Sequence, residues 1–172
     1  MFRASALGAR GKSGRYMMTV SAISVRPAQA EDRAAFLNMW RDFVSLAPGE
    51  PGNHAMGECN WGRIMDPASG LRCVVAVDAQ DVPTGFTLFF AFPFTWSNGD
   101  ACYLQDIYVV AESRGQGIAQ AMIAHLRQLG LDAGWFKIFW MTQSDNHAAQ
   151  RLYDKVAKRM DYLRYDLNVG DP

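Results

Sequence analysis

The residues that could do chemistry gather first in Arg114 to Ala119, which reads RGQGIA. This stretch joins a strand-like segment to a segment with apolar residues at helical spacing. Its two glycines carry no side chain to obstruct a ligand, and the free N–H groups of a helix start attract anions. Arg114 adds a cation, so the junction predicts a pyrophosphate site. The amides expected to converge on it belong to Gly115, Gln116, Gly117, Ile118, Ala119 and Gln120.

Three anion-binding turns compete for this junction. The dinucleotide fingerprint requires glycine or alanine at position 120, where Gln120 stands. A P-loop requires Gly-Lys-Ser/Thr at the helix start, and the distant Gly11-Lys12-Ser13 has neither the upstream glycine nor a preceding strand. The pattern R-x-x-G-x-A is matched by Arg114, Gly117 and Ala119.

Strand-like and helix-like segments alternate on both sides of the junction. Hydrophobic periodicity and breaker residues predict helices over 30–46, 56–65, 115–131 and 148–157. Alternating, β-branched and aromatic runs predict strands over 22–26, 71–77, 84–92, 101–110, 136–141 and 162–169. The order is β-α-α-β-β-β-α-β-α-β. This order predicts an α/β fold, of the α+β kind in which one sheet mixes parallel and antiparallel strands. The fifth strand is apolar on both faces, which predicts burial on both.

Length and composition predict one folded domain. The 172 residues are 49% hydrophobic, enough for one sizeable core. Residues 1–17 contain basic side chains and no acidic ones. We expect 1–17 to be a basic flexible extension, with an organelle transit peptide as the alternative, and 18–172 to form the single domain.

Composition also argues against several classes of partner. Basic and acidic residues balance at 17 each, so nothing global indicates nucleic acid or an anionic membrane. Three cysteines without C-x-x-C spacing suggest reduced thiols of a cytoplasmic protein, and the scattered histidines predict no metal site. No apolar run approaches the roughly 18 residues that span a bilayer.

The segment 103–119, YLQDIYVVAESRGQGIA, resembles motif A of the GNAT family of N-acetyltransferases. It looks most like the branch that contains diamine, thialysine and HPA2-type enzymes. The segment 144–157, SDNHAAQRLYDKVA, is similar to motif B. The resemblance covers about 22–169, and it implies the GNAT acyl-CoA N-acyltransferase fold with acetyl-CoA as co-substrate.

Motif B has a spacing that suits an extended pantetheine arm. Asn146 and Tyr153 are seven residues apart, so on a helix they share one face about 10 Å apart. The Asn146 amide would hold one end of the arm, beside Ala149, and the Tyr153 phenol would reach the sulfur. The alternatives are a helix cap at Asn146 and an ordinary half-buried aromatic at Tyr153.

The resemblance implies direct acetyl transfer to an amine without a covalent enzyme intermediate. The backbone of Ile107, Tyr108 and Val109 would bond the pantetheine and polarise the thioester carbonyl. Tyr153 would donate a proton to the departing thiolate.

The base that deprotonates the amine is less clearly marked. The diamine branch has Leu-Glu-Asp where this chain has Leu104-Gln105-Asp106, and Gln105 cannot take a proton. Either Asp106 acts through water or another acid serves, and this departure weakens the case for a polyamine. The alternative is that Asp106 is structural and anchors a neighbouring loop.

The acceptor pocket is expected to involve the variable segments 47–57 and 92–100. Trp96, Tyr108 and Trp40 are candidates to surround an alkyl-amine stem, with Gln105 and Asp106 at its base. Packing in the core is the alternative for each tryptophan.

Three functions follow from these patterns. The first is acetylation of a small primary amine, polyamine or amino-acid-like molecule. The second is acetylation of a protein lysine or N-terminal amine, and the third is a non-catalytic acyl-CoA-binding module. The resemblance also implies a homodimer, because members of the family often dimerise.

Overall fold

The computed structural model describes residues 23–46, 55–167 and 169–170. Its strands are β1 (Ser24–Pro27), β2 (Arg72–Val77), β3 (Pro83–Phe92), β4 (Ala101–Val109) and β5 (Lys137–Phe139). Its α-helices are α1 (Arg33–Ser45), α2 (Met56–Met65), α3 (Ile118–Ala133) and α4 (His147–Val156). Single 3₁₀ turns occupy Ala30–Asp32, Pro67–Ser69 and Ala111–Ser113.

The strands form one mixed sheet in the order β1-β2-β3-β4-β5. The first three pairings are antiparallel, and β4 pairs with β5 in parallel. A parallel pair needs a crossover connection, and α3 supplies it between β4 and β5. The predicted anion-binding junction therefore lies where β4 passes into that crossover.

Helices cover the two faces of the sheet. On one face, α1 buries Phe36, Met39 and Trp40, which recur at helical spacing and pack with Phe86 and Tyr108 from the sheet. On the other face, α3 buries an apolar stripe at helical spacing against the strands: Ile118, Met122 and Leu126. The core is thus a helix–sheet–helix sandwich.

A partly buried set of ion pairs holds the entry to α1. The Arg26 guanidinium donates to Asp32 at 2.7 Å and to Asp81 in the β2–β3 turn at 2.9 Å. Asp32 also accepts from the Gln29 N–H at 2.8 Å. Burial alone would raise the pKa of Asp32, but these bonds more than offset it, and the pKa lies below its ordinary value.

The structure confirms the α/β class, and the element order agrees as far as α4. The bounds of α2 are the predicted ones, because Pro67 ends the helical pattern. Among the described residues, no helix combines the length and apolar character needed to cross a bilayer.

Two details of the predicted strands are wrong. β5 has three residues, and Lys137 and Phe139 are exposed, so it is a half-covered edge strand and not one buried on both faces. Residues 162–167 and 169 form no strand, although their side chains alternate. Alternation alone does not form a strand, because a strand also needs a neighbour to accept its hydrogen bonds.

Candidate active site

β4 and β5 pair over a short distance and then separate. Their register joins Ala101 to Lys137, Cys102 to Ile138 and Tyr103 to Phe139, and no later residue of β5 pairs with β4 in the described chain. We call the space between 104–109 and 140–153 the fork. Along the fork one backbone edge of β4 is left without a strand, and its polar groups need other partners.

A bulge in β4 lies at the mouth of the fork. Leu88 of β3 pairs with Asp106, whereas Phe89 pairs with Leu104, so Gln105 has no partner in β3. Leu104 packs on the α3 side of the sheet, while Leu88 packs on the α1 side. The extra residue therefore changes which side chains of β4 face α1, a common effect of bulges beside functional sites.

Asp106 lies on the α1 side of this bulge and is mostly buried. Burial raises its pKa to about 6, which places its titration near neutral pH. Among the described residues no hydrogen bond or ion pair reaches its carboxylate. Gln105, beside it, is exposed.

The predicted anion turn has the backbone that the glycines suggested. Gly115 and Gly117 have φ angles of 77° and 83°, in the left-handed region that favours glycine. The first bond of α3 joins the Ala121 N–H to the Gly117 carbonyl, so the preceding N–H groups have no helical acceptor. A Cβ placed on either glycine would meet no described atom within 4 Å, which leaves room for a pyrophosphate at these amides.

Arg114 connects this turn to the end of β4. Its Nε donates to the Val109 carbonyl at 3.0 Å, and its guanidinium carbon lies 5.6 Å from the centre of the Tyr108 ring. The side chain therefore positions the turn as well as placing a positive charge beside it.

The start of α4 forms the other wall of the fork. The Asn146 Oδ1 accepts from the Ala149 N–H at 3.2 Å, so the asparagine caps the helix as one interpretation predicted. That bond uses only its carbonyl oxygen, and the side-chain NH₂ remains the group that can donate to a ligand. Gln150 binds the preceding loop, donating to the carbonyls of Gln143 at 3.0 Å and Ser144 at 2.9 Å.

Tyr153 points from α4 into the apolar cluster on the α3 side. Its ring centre is 5.3 Å from that of Trp140, at 69°, and both rings pack on the cluster that contains Leu104 and Leu126. Burial raises the pKa of the Tyr153 phenol. Ile107 of β4 packs on the same cluster, so both walls of the fork contribute a side chain to it.

Other predicted residues do not come together with these. Trp96 is 88% exposed, between β3 and β4. The Tyr108 ring lies under α1 with Phe43 and Phe86, on the opposite face from Tyr153, so only its backbone borders the fork. Trp40 is buried in the same aromatic core. Residues 47–54 of the predicted acceptor loop lie outside the described residues.

Sequence reasoning missed a surface beside the fork, which we call the aromatic groove. Its volume is about 470 Å³, and it is lined by Phe90, Phe92, Tyr103, Gln105, Phe139, Met141 and Arg164. The signal was the aromatic spacing in FFAF, 89–92, but the same spacing is expected for a core strand. It also missed the contact between Trp140 and Tyr153, which are distant in sequence.

The described residues offer little for metal or thiol chemistry. They contain no group of three His, Cys, Asp or Glu side chains arranged to hold a metal ion. Cys102 is buried at the base of the fork, and burial raises its pKa to about 12, so the thiolate nucleophile is disfavoured.

Comparison with known proteins gives one family match and several relatives. The family described as "Acetyltransferase (GNAT) family" matches residues 35–157. The chain is 25% identical over 151 residues to the D-amino-acid N-acetyltransferase HPA3 of Saccharomyces cerevisiae, covering 85% of this chain and 91% of that protein. It is 35% identical over 75 residues to the thialysine N-epsilon-acetyltransferase of Sus scrofa, covering 44% of each chain.

Several solved structures have the same fold as this chain. The ribosomal-protein-alanine N-acetyltransferase of Brucella melitensis aligns with a TM-score of 0.69 at 20% identity, covering 86% of this chain and 99% of that one. The aminoglycoside N-acetyltransferase AAC(6')-Iy, solved in complex with CoA, aligns with a TM-score of 0.63 at 19% identity, covering 95% and 100%. At such identities the likeness shows the fold alone.

Proposed function

The chain belongs to the GNAT family of acetyltransferases and is an acetyl-CoA-dependent N-acetyltransferase; from this premise we propose that it acetylates the primary amine of a small molecule by direct transfer, with Tyr153 as the general acid. The observation that carries the proposal is the fork. Beyond Tyr103 one edge of β4 has no strand partner in the described part of the chain, the glycine turn follows the end of β4, and Tyr153 packs on the same apolar cluster as Ile107 of β4; these features support the proposal.

Three parts of the chain would hold acetyl-CoA. The amides of 115–120 and the Arg114 charge fit its pyrophosphate, because both glycines leave open space in front of the helix start. The edge of β4 at Ile107, Tyr108 and Val109, which has no described strand beside it, fits the amides of the pantetheine arm, although the Val109 carbonyl already accepts from Arg114. The Asn146 NH₂ donates from the opposite wall, next to the Ala149 amide that its oxygen already binds.

In the transfer step the amine nitrogen bonds to the acetyl carbon, the carbon–sulfur bond breaks, and the departing sulfur needs a proton. Tyr153 supplies it. Burial raises the pKa of this phenol, so it stays protonated at neutral pH, but it also becomes a weaker acid. Since ordinary tyrosine and thiol pKa values are about 10 and 8.5, the donation is uphill and depends on close contact with the sulfur.

Asp106 is the base that we propose for the amine. A pKa of about 6 leaves it ionised at pH 7 and still able to hold a proton during the reaction. Gln105 at the neighbouring position cannot take a proton, so Asp106 would serve in its place, acting through a water molecule. The lack of a described partner for the carboxylate favours this role over that of a loop anchor.

A small acceptor is favoured over a protein acceptor by the relatives in sequence. HPA3, which the chain matches over most of both lengths, is named for D-amino acids, and the shorter matches are named for thialysine. The protein-acetylating structure resembles this chain only in fold.

The test measures free-thiol release from acetyl-CoA by the full chain, 1–172, together with the mass of the acetylated product. The acceptor panel contains amino acids, monoamines, diamines, aminoglycosides and lysine peptides. We expect release with a small-amine class. Release with peptides alone would support the protein-directed alternative, and tight acetyl-CoA binding without release would support the binding module.

A further inference from the structure

We propose that the aromatic groove selects the acceptor, binding the aromatic or large aliphatic substituent of a monoamine while its amino group reaches Asp106. This inference rests on the function proposed above and specifies the substrate class. It is argued from the geometry of the rings, from the position of the groove beside the fork and from the lack of acidic side chains among the lining residues.

The groove is built on four rings in mutual contact. Tyr103 lies 5.6 Å from Phe90 and 5.2 Å from Phe139, centre to centre. Phe92 closes the set at 6.2 Å from Phe90 and 6.1 Å from Phe139. Such contacts fix the rings as a surface against which another ring can stack or pack edge-on.

This surface is partly open. Phe139 is 37% exposed and Met141 is 49% exposed, whereas Phe86 of the same sheet face is fully covered. The groove is shallow and open to solvent, with a volume of about 470 Å³. A ligand substituent that covered these rings would remove apolar surface from water, which favours binding.

The groove adjoins the proposed reaction centre. Tyr103 and Phe139 form the last residue pair before the fork opens, and both line the groove. Gln105 lines it as well and precedes Asp106. Asp106 pairs with Leu88, and Phe90 lies two residues further along β3, so carboxylate and groove share the α1 face.

Charge argues for a monoamine. The lining residues include no acidic side chain, and their one cation is Arg164, which is bonded to Asp166 at 2.7 Å. A second ammonium of a diamine would therefore find no acidic side chain in the lining to pair with, and Asp166 beside it is already bonded to Arg164.

The experiment compares kcat/KM for matched acceptors with the full chain and saturating acetyl-CoA. The pairs are 2-phenylethylamine with ethylamine, and phenylalanine with alanine in both configurations, with 1,4-diaminobutane as the dicationic acceptor. We expect each aromatic acceptor to exceed its small partner by at least about tenfold, and the diamine to be the poorer substrate.

Two groove variants, Phe139→Leu and Phe90→Leu, should each lower kcat/KM for 2-phenylethylamine several-fold more than kcat/KM for ethylamine, so that the aromatic-to-small ratio falls. Phe136→Leu is the matched control, since Phe136 is a 59% exposed ring outside the groove, and it should leave the ratio intact. Two substitutions guard against a single variant that fails to fold.

Equal use of aromatic and small acceptors, or a preference for the diamine, would overturn the groove assignment and leave the acetyltransferase function standing. So would variants that change the oligomeric state on a sizing column but not the ratio, since the groove would then be a contact between copies. Acetylation of no amine at all would overturn the proposed function and this inference together.

Discussion

The same face of the same two strands carries two aromatic clusters with different surroundings. Phe86 and Tyr108 pair across β3 and β4 under α1, and Phe90 and Tyr103 pair further along the same strands in the aromatic groove. We call the part covered by α1 and α2 the sealed half, and the fork with its groove the open half. The helix above the strands, and not the strand pattern, decides whether a ring becomes core or binding surface.

The bulge at Gln105 is what aligns the two clusters. Tyr103 and Tyr108 are five residues apart, an odd number that would place them on opposite faces of a regular strand. The extra residue shifts the alternation, so both face α1. One irregular residue thus extends the aromatic surface from the sealed half to the mouth of the fork.

The largest expected effect separates chemistry from packing in the open half. Tyr153→Phe keeps the ring on Trp140 and removes only the hydroxyl. We expect kcat to fall about 10²- to 10⁴-fold, the usual contribution of a general acid, while the Kd for acetyl-CoA changes less than about threefold. Steady-state kinetics and calorimetric titration measure the two. Weaker acetyl-CoA binding with normal turnover would contradict the role as acid.

The next effect belongs to the sealed half. Phe86→Ala removes a fully buried ring that contacts Phe36 at 5.2 Å and Tyr108 at 5.9 Å. The free energy of unfolding in urea should fall by about 3 to 5 kcal/mol, because a cavity replaces the ring. Phe90→Ala, its counterpart in the groove, should cost clearly less. Equal losses at the two sites would break the distinction between the halves.

Two glycine substitutions, one in each half, compare ligand binding with stability, and their expected effects are smaller. Gly117→Leu would force a left-handed φ of 83° on a side chain and fill the space before α3, so the Kd for CoA should rise about 10- to 100-fold through lost amide contacts. Gly62→Ala in α2 is the matched control, since it too has no described atom within 4 Å of the added Cβ. There we expect unchanged binding and a slight gain in stability. Normal CoA binding by the Gly117 variant would remove the pyrophosphate assignment.

The smallest expected difference between the halves is in how one carboxylate of each affects stability. Asp32 in the sealed half is bonded to Arg26 and its pKa is lowered, so Asp32→Asn should destabilise the protein at pH 7. The pKa of Asp106 is about 6 in the folded protein, against an ordinary value of 3.8. Between these two pH values the folded protein keeps a proton on Asp106 that the unfolded chain has released. Its contribution to stability is therefore lost as pH rises from about 4 to 6.

Asp106→Asn should accordingly raise the free energy of unfolding by about 1 to 3 kcal/mol at pH 7 and give no gain at pH 4. It should also lower turnover and abolish the fall in kcat/KM that we expect below about pH 6 in the unsubstituted enzyme. Urea titrations at the two pH values, with a pH–rate profile, measure both. A less stable variant at pH 7 would indicate that Asp106 is an anchor.

The sequence predicted the parts of the molecule that depend on neighbouring residues. The bounds of α2, the glycine turn before α3 and the cap at Asn146, which was the alternative interpretation of that residue, follow from local backbone chemistry. The seven-residue spacing from Asn146 to Tyr153 survives because α4 is a regular helix. These features can be predicted without knowing which residues pack against them.

The rest depends on long-range pairing. No residue near Gln105 marks the bulge, since its place is set by the register with β3. Phe90 and Phe86 have the same kind of neighbours in sequence, and only the position of α1 separates them. Within the alternating segment, residues 162–167 and 169 have no pairing strand in the described structure, which no local pattern could reveal.

The fork has a consequence for the stability of the enzyme. Along the fork, one edge of β4 has no neighbouring strand among the described residues. Bound acetyl-CoA would supply hydrogen bonds to that edge in place of a strand. A ligand that binds only the folded chain stabilises it by about 2.7 kcal/mol at 100 times its Kd. Saturating acetyl-CoA should therefore raise the thermal unfolding temperature of this protein.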